Sequence, residues 1–451
     1  MKAIYFLVFC FAVVSSSEDS NQKSFIQTRN HFHLPYQEGG SFTQRYWVID
    51  QHWDQANGPI FLYLCGASSC NGLHIDKQYV LQVAKELRGR VVVLEHRYYG
   101  ASLPYFFASM LPQLFFYHDV QQTMTDVAQF IFKVNEEVTA QRRQSGGGEV
   151  QWVTIGGGYA GAMSAWLRTR YPDLIVAAWA SSATVVPILD FKDFDKGVYE
   201  AALKSGDSCV EAIRKVNALV EKKFLDGEIT QVIDLTGTTQ EFEESEDMTS
   251  VLYYITDIMA NLVVEGSRTK LCSEVTKSEN DWQKLKNLVE LGKSRNLTSP
   301  SNYAISSLKN LLWYPEVYGR QWYWQKCTQL GWFQTPSEYN MRSSLLNITY
   351  WENLCNDIFD YPGSIDMPDT EVSAADLHYT GQQIVFTYGE EDPWKHAGHL
   401  QQLSSSSPVI RINCTDCSHS VDLKTPSEND PQELKEARQQ ILDYLEKWLR
   451  D

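Results

Sequence analysis

The stretch from Trp152 to Tyr171 constrains this chain more than any other. The β-branched run Trp152-Val-Thr-Ile155 passes through Gly156-Gly-Gly-Tyr-Ala-Gly161 directly into the helical pattern Ala162-Met-Ser-Ala-Trp-Leu-Arg-Thr-Arg-Tyr171. A strand can become a helix over so short a turn only if the flanking residues are small, because the two backbones approach closely there, and if the tip residue accepts positive φ. Gly158 stands at that tip. Strand, sharp turn and helix together have the form of a nucleophile elbow. Phosphate and dinucleotide loops also join a strand to a helix through glycines, but no acid follows at the spacing that a ribose requires.

Other short apolar runs bounded by turn residues repeat the first half of the pattern: Ile60 to Leu64, Val91 to Glu95, Val176 to Ala180, Ile384 to Thr387 and Val409 to Asn413. They read as buried parallel strands. Between them lie helical patterns at Lys77 to Leu87 and Val120 to Val134, which is the alternation of a doubly wound α/β sheet. A last helix is expected with Asp430 as N-cap, Pro431 at N1 and an apolar stripe of Leu434, Ala437, Ile441, Leu445 and Leu449. From about Leu189 to Ser373 the pattern turns charged, helical and poor in strands, including the acidic stretch Glu241 to Asp247. The expected organisation is therefore a core built from 18–188 and 374–451, with 189–373 inserted as a helical cap.

Met1-Lys2, the eleven-residue apolar run Ile4 to Val14 and Ser15 to Ser17 follow the order of a secretory signal, expected over 1–17. The run falls short of the roughly 18 apolar residues of a membrane span, and no later segment reaches that length. With 39 Lys and Arg against 56 Asp and Glu, the formal net charge is −17, which disfavours nucleic acid and anionic membrane as partners. Of nine cysteines, Cys10 belongs to the leader. The remaining eight can all pair in an oxidising compartment, and chain order suggests Cys65 with Cys70, Cys209 with Cys272, Cys327 with Cys355, and Cys414 with Cys417, other connectivities staying open. Cys414-Thr-Asp-Cys417 has no second CxxC to complete a zinc site, so a structural disulfide is expected. Sequons at Asn296, Asn347 and Asn413 become glycosylation candidates in that compartment, Asn413 being the weaker because it ends a strand beside a cysteine.

At the elbow the sequence resembles the family of prolyl carboxypeptidase, dipeptidyl peptidase II and the thymus-specific serine protease, whose members read Gly-Gly-Ser-Tyr-x-Gly at this point. The resemblance also rests on Cys65-Gly-Ala-Ser-Ser-Cys-Asn-Gly72, Leu94-Glu-His-Arg-Tyr-Tyr-Gly100 with Ser102-Leu-Pro104, and Arg168-Thr-Arg-Tyr-Pro172. It continues through Gln325-Lys-Cys-Thr328 with Gly331-Trp-Phe-Gln334, Thr387-Tyr-Gly389 with Asp392-Pro-Trp394, and Cys417-Ser-His-Ser-Val-Asp-Leu423. It implies an α/β-hydrolase fold with an inserted cap, a catalytic acid at Asp392 and a catalytic base at His419. The backbone N–H groups of Tyr159 and of Gly66 or Ala67 are the implied oxyanion hole. No cofactor and no metal is implied; the helical spacing of Asp392, His396 and His399 could suggest metal ligands, but the resemblance places Asp392 in a triad.

Three positions depart from the family. Gly158 replaces the nucleophilic serine and supplies no hydroxyl for His419 to deprotonate. Ala67 stands where relatives usually carry glutamate, and Ser420 where many carry cysteine. Ser164, Ser181 and Ser182 lie nearby in sequence, Ser164 too far along its helix to reach the tip. Trp322-Tyr-Trp324 could line a pocket, with core packing the ordinary role of such residues. Two functions follow. One is a secreted or lysosomal pseudoenzyme that binds peptide ends or a protein partner; the other is an active serine exopeptidase cleaving near proline at peptide termini. A homodimer stays open.

Overall fold

A computed structural model describes residues 21–451 apart from 33–38, 74–77, 106–110, 112–114, 116, 239–241, 243–247, 298–299, 313–317, 360–381 and 403. The expected leader and the expected core–cap boundary near 373 lie outside the described residues, as does most of the acidic stretch Glu241 to Asp247.

The apolar runs become strands because alternate side chains can be buried on both faces at once. They are β3 (Ile60–Leu64), β4 (Arg90–Leu94), β5 (Trp152–Gly157), β6 (Ala177–Ser181), β9 (Ile384–Gly389) and β10 (Val409–Ile412). Ile60, Leu62, Val92 and Trp152 enter one core, while Phe61, Val91, Val93, Val153, Ile155 and Trp179 enter the other. The first is covered by α2 (Val120–Ser145) and α3 (Tyr159–Arg170), the second by α1 (Tyr79–Glu86) and α13 (Gln432–Arg450). The full sheet runs β1-β2-β4-β3-β5-β6-β9-β10, parallel from β4 to β10. This is the α/β-hydrolase fold.

Two strands lie outside the expectation. β1 (Gln22–Thr28) and β2 (Ser41–Ile49) form an antiparallel edge, β2 also running antiparallel to β4. Their sequences carry buried glutamines in place of aliphatic residues: Gln27 Nε2 donates to Gln44 Oε1 at 2.9 Å, and Gln44 Nε2 donates to the Glu95 carbonyl at 2.7 Å. Paired amides satisfy one another away from water, so a half-polar segment can still be an interior strand.

Between β6 and β9 come α4 (Asp193–Leu203), α5 (Asp207–Leu225), α6 (Thr230–Thr236), α7 (Met248–Val264), α8 (Arg268–Val275), α9 (Asp281–Arg295), α10 (Ile305–Lys309), α11 (Gly319–Gln325) and α12 (Ile348–Phe359). A short parallel pair, β7 (Ile188–Asp190) and β8 (Gly331–Phe333), accompanies them. These helices share one continuous apolar core with the α2 and α3 face of the sheet.

The final helix starts one residue later than expected. Pro431 is its N-cap, and Asp430 instead accepts from the Ser427 N–H and from Arg438 Nη1. A charged partner outcompetes the capping role, because a charge-assisted bond is the stronger one. Leu434, Ala437, Ile441 and Leu445 are buried, with Leu449 half-buried. Burial of each leucine or isoleucine in that stripe contributes about 1.5–3 kcal/mol. All four cysteine pairs follow chain order: 65 with 70, 209 with 272, 327 with 355, and 414 with 417.

Candidate active site

The turn after β5 is as tight as its glycines demand. A Cβ on Gly156 would lie 2.3 Å from the Ala160 carbonyl oxygen, and one on Gly161 would lie 2.5 Å from that of Ser181. Gly158 has φ 60° and ψ −122° and is the N-cap of α3. Its N–H donates to the Ser181 carbonyl at 3.0 Å, and its carbonyl accepts from the Ala162 N–H at 2.9 Å. The tip is therefore locked between the neighbouring strand and the helix.

Two further loops leave the sheet at the same end. After β9, Asp392 is completely buried, with Oδ1 accepting from the Trp394 N–H at 3.0 Å. After β10, the Cys414–Cys417 turn leads to His419, whose Nδ1 lies 2.9 Å from Asp392 Oδ2. With Nδ1 so engaged, the other ring nitrogen is the one turned toward the elbow. A Cβ on Gly158 would fall 2.8 Å from His419 Nε2 and 3.2 Å from Cε1. The structure thus brings Gly158, Asp392 and His419 together, and the imidazole edge occupies ground that any side chain at 158 would contest.

Gly66 and Ala67 follow β3. That strand pairs with β5 through Tyr63 and Ile155, so Gly66 and Gly158 each lie three residues beyond a paired position. The Gly66 loop is closed by the Cys65–Cys70 bridge, and the Cys70 N–H donates to buried Glu95 Oε1 at 3.1 Å. Arg45 Nε completes this anchor by donating to Glu95 Oε2 at 2.9 Å. Ala67 is half-buried and presents only a methyl group.

Tyr159 opens α3, and its side chain is buried in a neutral network. The Tyr159 hydroxyl accepts from Gln325 Nε2 at 2.9 Å and lies 3.1 Å from His96 Nε2. His96 Nδ1 is 2.6 Å from the Arg97 carbonyl, and the Tyr99 hydroxyl donates to Gln325 Oε1 at 2.7 Å. Burial lowers the His96 pKa from 6.5 to about 4, so its imidazole is neutral around pH 7. Trp322 is half-buried beside Tyr159 at 5.8 Å between ring centres, whereas Tyr323 and Trp324 belong to the core.

The helices on the other side hold the acid and base loops with charge. The His419 N–H donates to the Val264 carbonyl at 3.1 Å, at the end of α7. Lys424 Nζ donates to the Glu265 carbonyl at 2.9 Å, and the Thr269 N–H donates to Asp416 Oδ1 at 3.0 Å. Arg268 donates from Nε and Nη2 to the two carboxylate oxygens of Glu391, at 3.1 and 2.7 Å, next in sequence to Asp392. Both partners are buried, with Lys204 Nζ 3.6 Å from the same carboxylate. Asp422 ties the sheet ends to the His419 loop by accepting from Trp179 Nε1 (2.7 Å), Ser181 Oγ (2.6 Å) and Thr387 Oγ1 (2.7 Å). Nothing in the sequence around Asp422 or Glu391 assigns them these roles. The partners lie up to 243 residues away in the chain and leave no local signal.

The nearby serines are engaged elsewhere. Ser164 Oγ donates to the Ala160 carbonyl at 3.0 Å, Ser181 is held by Asp422, and Ser182 Oγ accepts from the Ser420 N–H at 2.8 Å. His396 Nε2 lies 3.4 Å from Glu200 while Asp392 faces His419. Among the described residues no group of three or more His, Cys, Asp or Glu is placed to hold a metal ion. Among them, too, no helix is long and apolar enough to cross a membrane.

The strand order and the turn after β5 define an α/β-hydrolase. The family model for serine carboxypeptidase S28 matches residues 27–441, and the chain belongs to that family. It is 29% identical to the probable serine protease EDA2 of Arabidopsis thaliana, over 96% of this chain and 89% of that protein. It is 27% identical to the human thymus-specific serine protease, over 91% and 83%, and 25% identical to the human lysosomal Pro-X carboxypeptidase, over 93% and 86%.

Proposed function

We propose that this S28-family chain binds peptide ends, or a protein partner that presents one, without forming an acyl-enzyme. The observation that carries this reading is Gly158: the elbow tip has the backbone of a nucleophile position and no atom that can attack a carbonyl. His419 lying against that tip supports it, as does Ala67 in place of a carboxylate. Loss of a triad serine costs on the order of 10⁶ in kcat, which puts peptide turnover below ordinary detection. The names of the Pro-X carboxypeptidase relatives support a ligand with proline near its terminus.

The disulfides and these relatives also support a secretory or lysosomal location. Asn296, Asn347 and Asn413 are exposed, which suits glycosylation.

One observation favours the alternative of a working serine exopeptidase: the Asp392–His419 hydrogen bond keeps the geometry that a serine mechanism needs. Treatment of the purified protein with a fluorophosphonate probe separates the two. No labelling and no cleavage of proline-containing peptides is expected, together with quenching of tryptophan fluorescence by such peptides. Labelling of the natural chain overturns the binding-only reading.

A further inference from the structure

We propose that this site hydrolyses activated carboxylic esters by a single displacement, in which His419 deprotonates a water molecule that attacks the acyl carbonyl directly. The inference rests on the reading of Gly158 as an elbow tip without a nucleophile, and it adds a reaction to that reading. Three features of the geometry point to it.

The base is held ready. Asp392 Oδ2 lies 2.9 Å from His419 Nδ1, and an ionised carboxylate accepts, so Nδ1 carries the proton and the Nε2 lone pair faces the elbow. The approach is open. Around the position of a Cβ on Gly158, chain neighbours aside, the His419 ring alone comes within 4 Å among the described residues. The His419 side chain is 24% exposed, so water reaches the imidazole. Finally, α3 starts at Tyr159, whose N–H precedes the first helical hydrogen bond, the one from the Ala162 N–H to the Gly158 carbonyl, which suits it to a developing oxyanion.

The step balances without any other reactant. As Nε2 takes a proton from water, the water oxygen forms a bond to the acyl carbon and the carbonyl π pair moves onto its oxygen, facing the Tyr159 N–H. Collapse of this intermediate breaks the bond to the leaving alkoxide or phenoxide. That group takes the proton from Nε2, releasing an acid and an alcohol and leaving the protein unmodified. Esters are the substrate class because a phenoxide or activated alkoxide departs readily, whereas an amide nitrogen must be protonated first. An oxyanion hole and binding alone retain only about 10³–10⁴ over the reaction in water.

The test uses the full chain and p-nitrophenyl acetate. Release of p-nitrophenol is expected to be linear without a burst, unaffected by fluorophosphonate, and slowed in heavy water, with no acetyl adduct in the intact mass. His419→Ala and Gly158→Ala are each expected to lower kcat/KM by about 10²-fold or more, the first by removing the base and the second by placing a methyl group against Nε2. Should His419→Ala fail to fold, the near-isosteric Asp392→Asn replaces it, with a loss of the same order. Rates in these variants equal to that of the natural chain overturn the proposal and leave the absent nucleophile untouched. A burst, an adduct or probe labelling overturns the reading of Gly158 itself.

Discussion

The Tyr159 side chain next to Gly158 is held by neutral hydrogen bonds, whereas the loop that carries Asp392 is held by a buried ion pair. Tyr159, His96, Gln325 and Tyr99 share uncharged donors and acceptors on the elbow side. On the other side the buried Arg268–Glu391 pair joins α8 to the acid loop, with exposed Lys204 beside it and Lys424 reaching the turn after α7 at the surface. The elbow tip, Gly158, carries no side chain, yet the opposite side holds Asp392 against His419, and the contrast teaches why. Asp392 and His419 sit on loops whose other residues close the helices onto the sheet, so their placement serves the fold as well as any reaction. The elbow tip is held by backbone bonds alone, from Gly158 to Ser181 and Ala162, so its placement depends on no side chain of its own.

The sharpest way to break this contrast is Gly158→Ser. Introducing a hydroxyl at the tip is expected to bring fluorophosphonate labelling from none to a measurable rate. Recovery stays below the roughly 10⁶ that a triad serine is worth, because the new Cβ must first push His419 back. Full activity in this variant would show that the imidazole was never displaced.

Next in size is Arg268→Met. Removing the guanidinium strands the buried Glu391 carboxylate with Lys204 alone, an expected loss of about 3–5 kcal/mol in urea unfolding. Adding Glu391→Leu should return most of it. A loss below about 1 kcal/mol would mean that charge does not hold this side together.

The elbow side should respond to pH. His96 has its pKa lowered by burial from 6.5 to about 4, so the unfolded chain takes up the proton first as pH falls. Stability from this group is complete above about pH 6.5 and is lost between there and about pH 4, by about 3 kcal/mol. Urea midpoints at the two ends of that window measure the loss, which should shrink in His96→Gln. An unchanged acid response in that variant would remove the neutral network as its cause.

The smallest expected effect is that of Gly158→Ala on stability. A Cβ at φ 60° costs about 1–3 kcal/mol, to which contact with His419 adds. A stabilised variant would show that a Cβ is accommodated at φ 60° beside His419 without strain.

Much of the fold was legible because it is written locally. Central strands buried on both faces are mostly apolar, and the elbow cannot be built without Gly156 and Gly161, so both announce themselves in a few consecutive residues. Asp392 and His419 became legible through resemblance, since nothing in their own neighbourhoods distinguishes them from other acids and histidines. The strands β1 and β2 escaped because Gln27 and Gln44 satisfy each other across 17 residues. The second half of α2 escaped as well, since Glu136, Glu137, Arg142 and Arg143 interrupt its apolar stripe.

From the residues alone came an α/β sheet completed by both ends of the chain, a glycine at the tip of a strand-to-helix elbow, and cysteines enough for four bridges. These follow from backbone sterics, side-chain polarity and composition, which act over short stretches. Only the folded chain decided that His419 leans against Gly158, that Arg268 reaches Glu391, and that Asp422 gathers Trp179, Ser181 and Thr387. Such contacts join segments more than a hundred residues apart in most cases, and their worth depends on exclusion of water, a property that no segment has until the rest has packed around it.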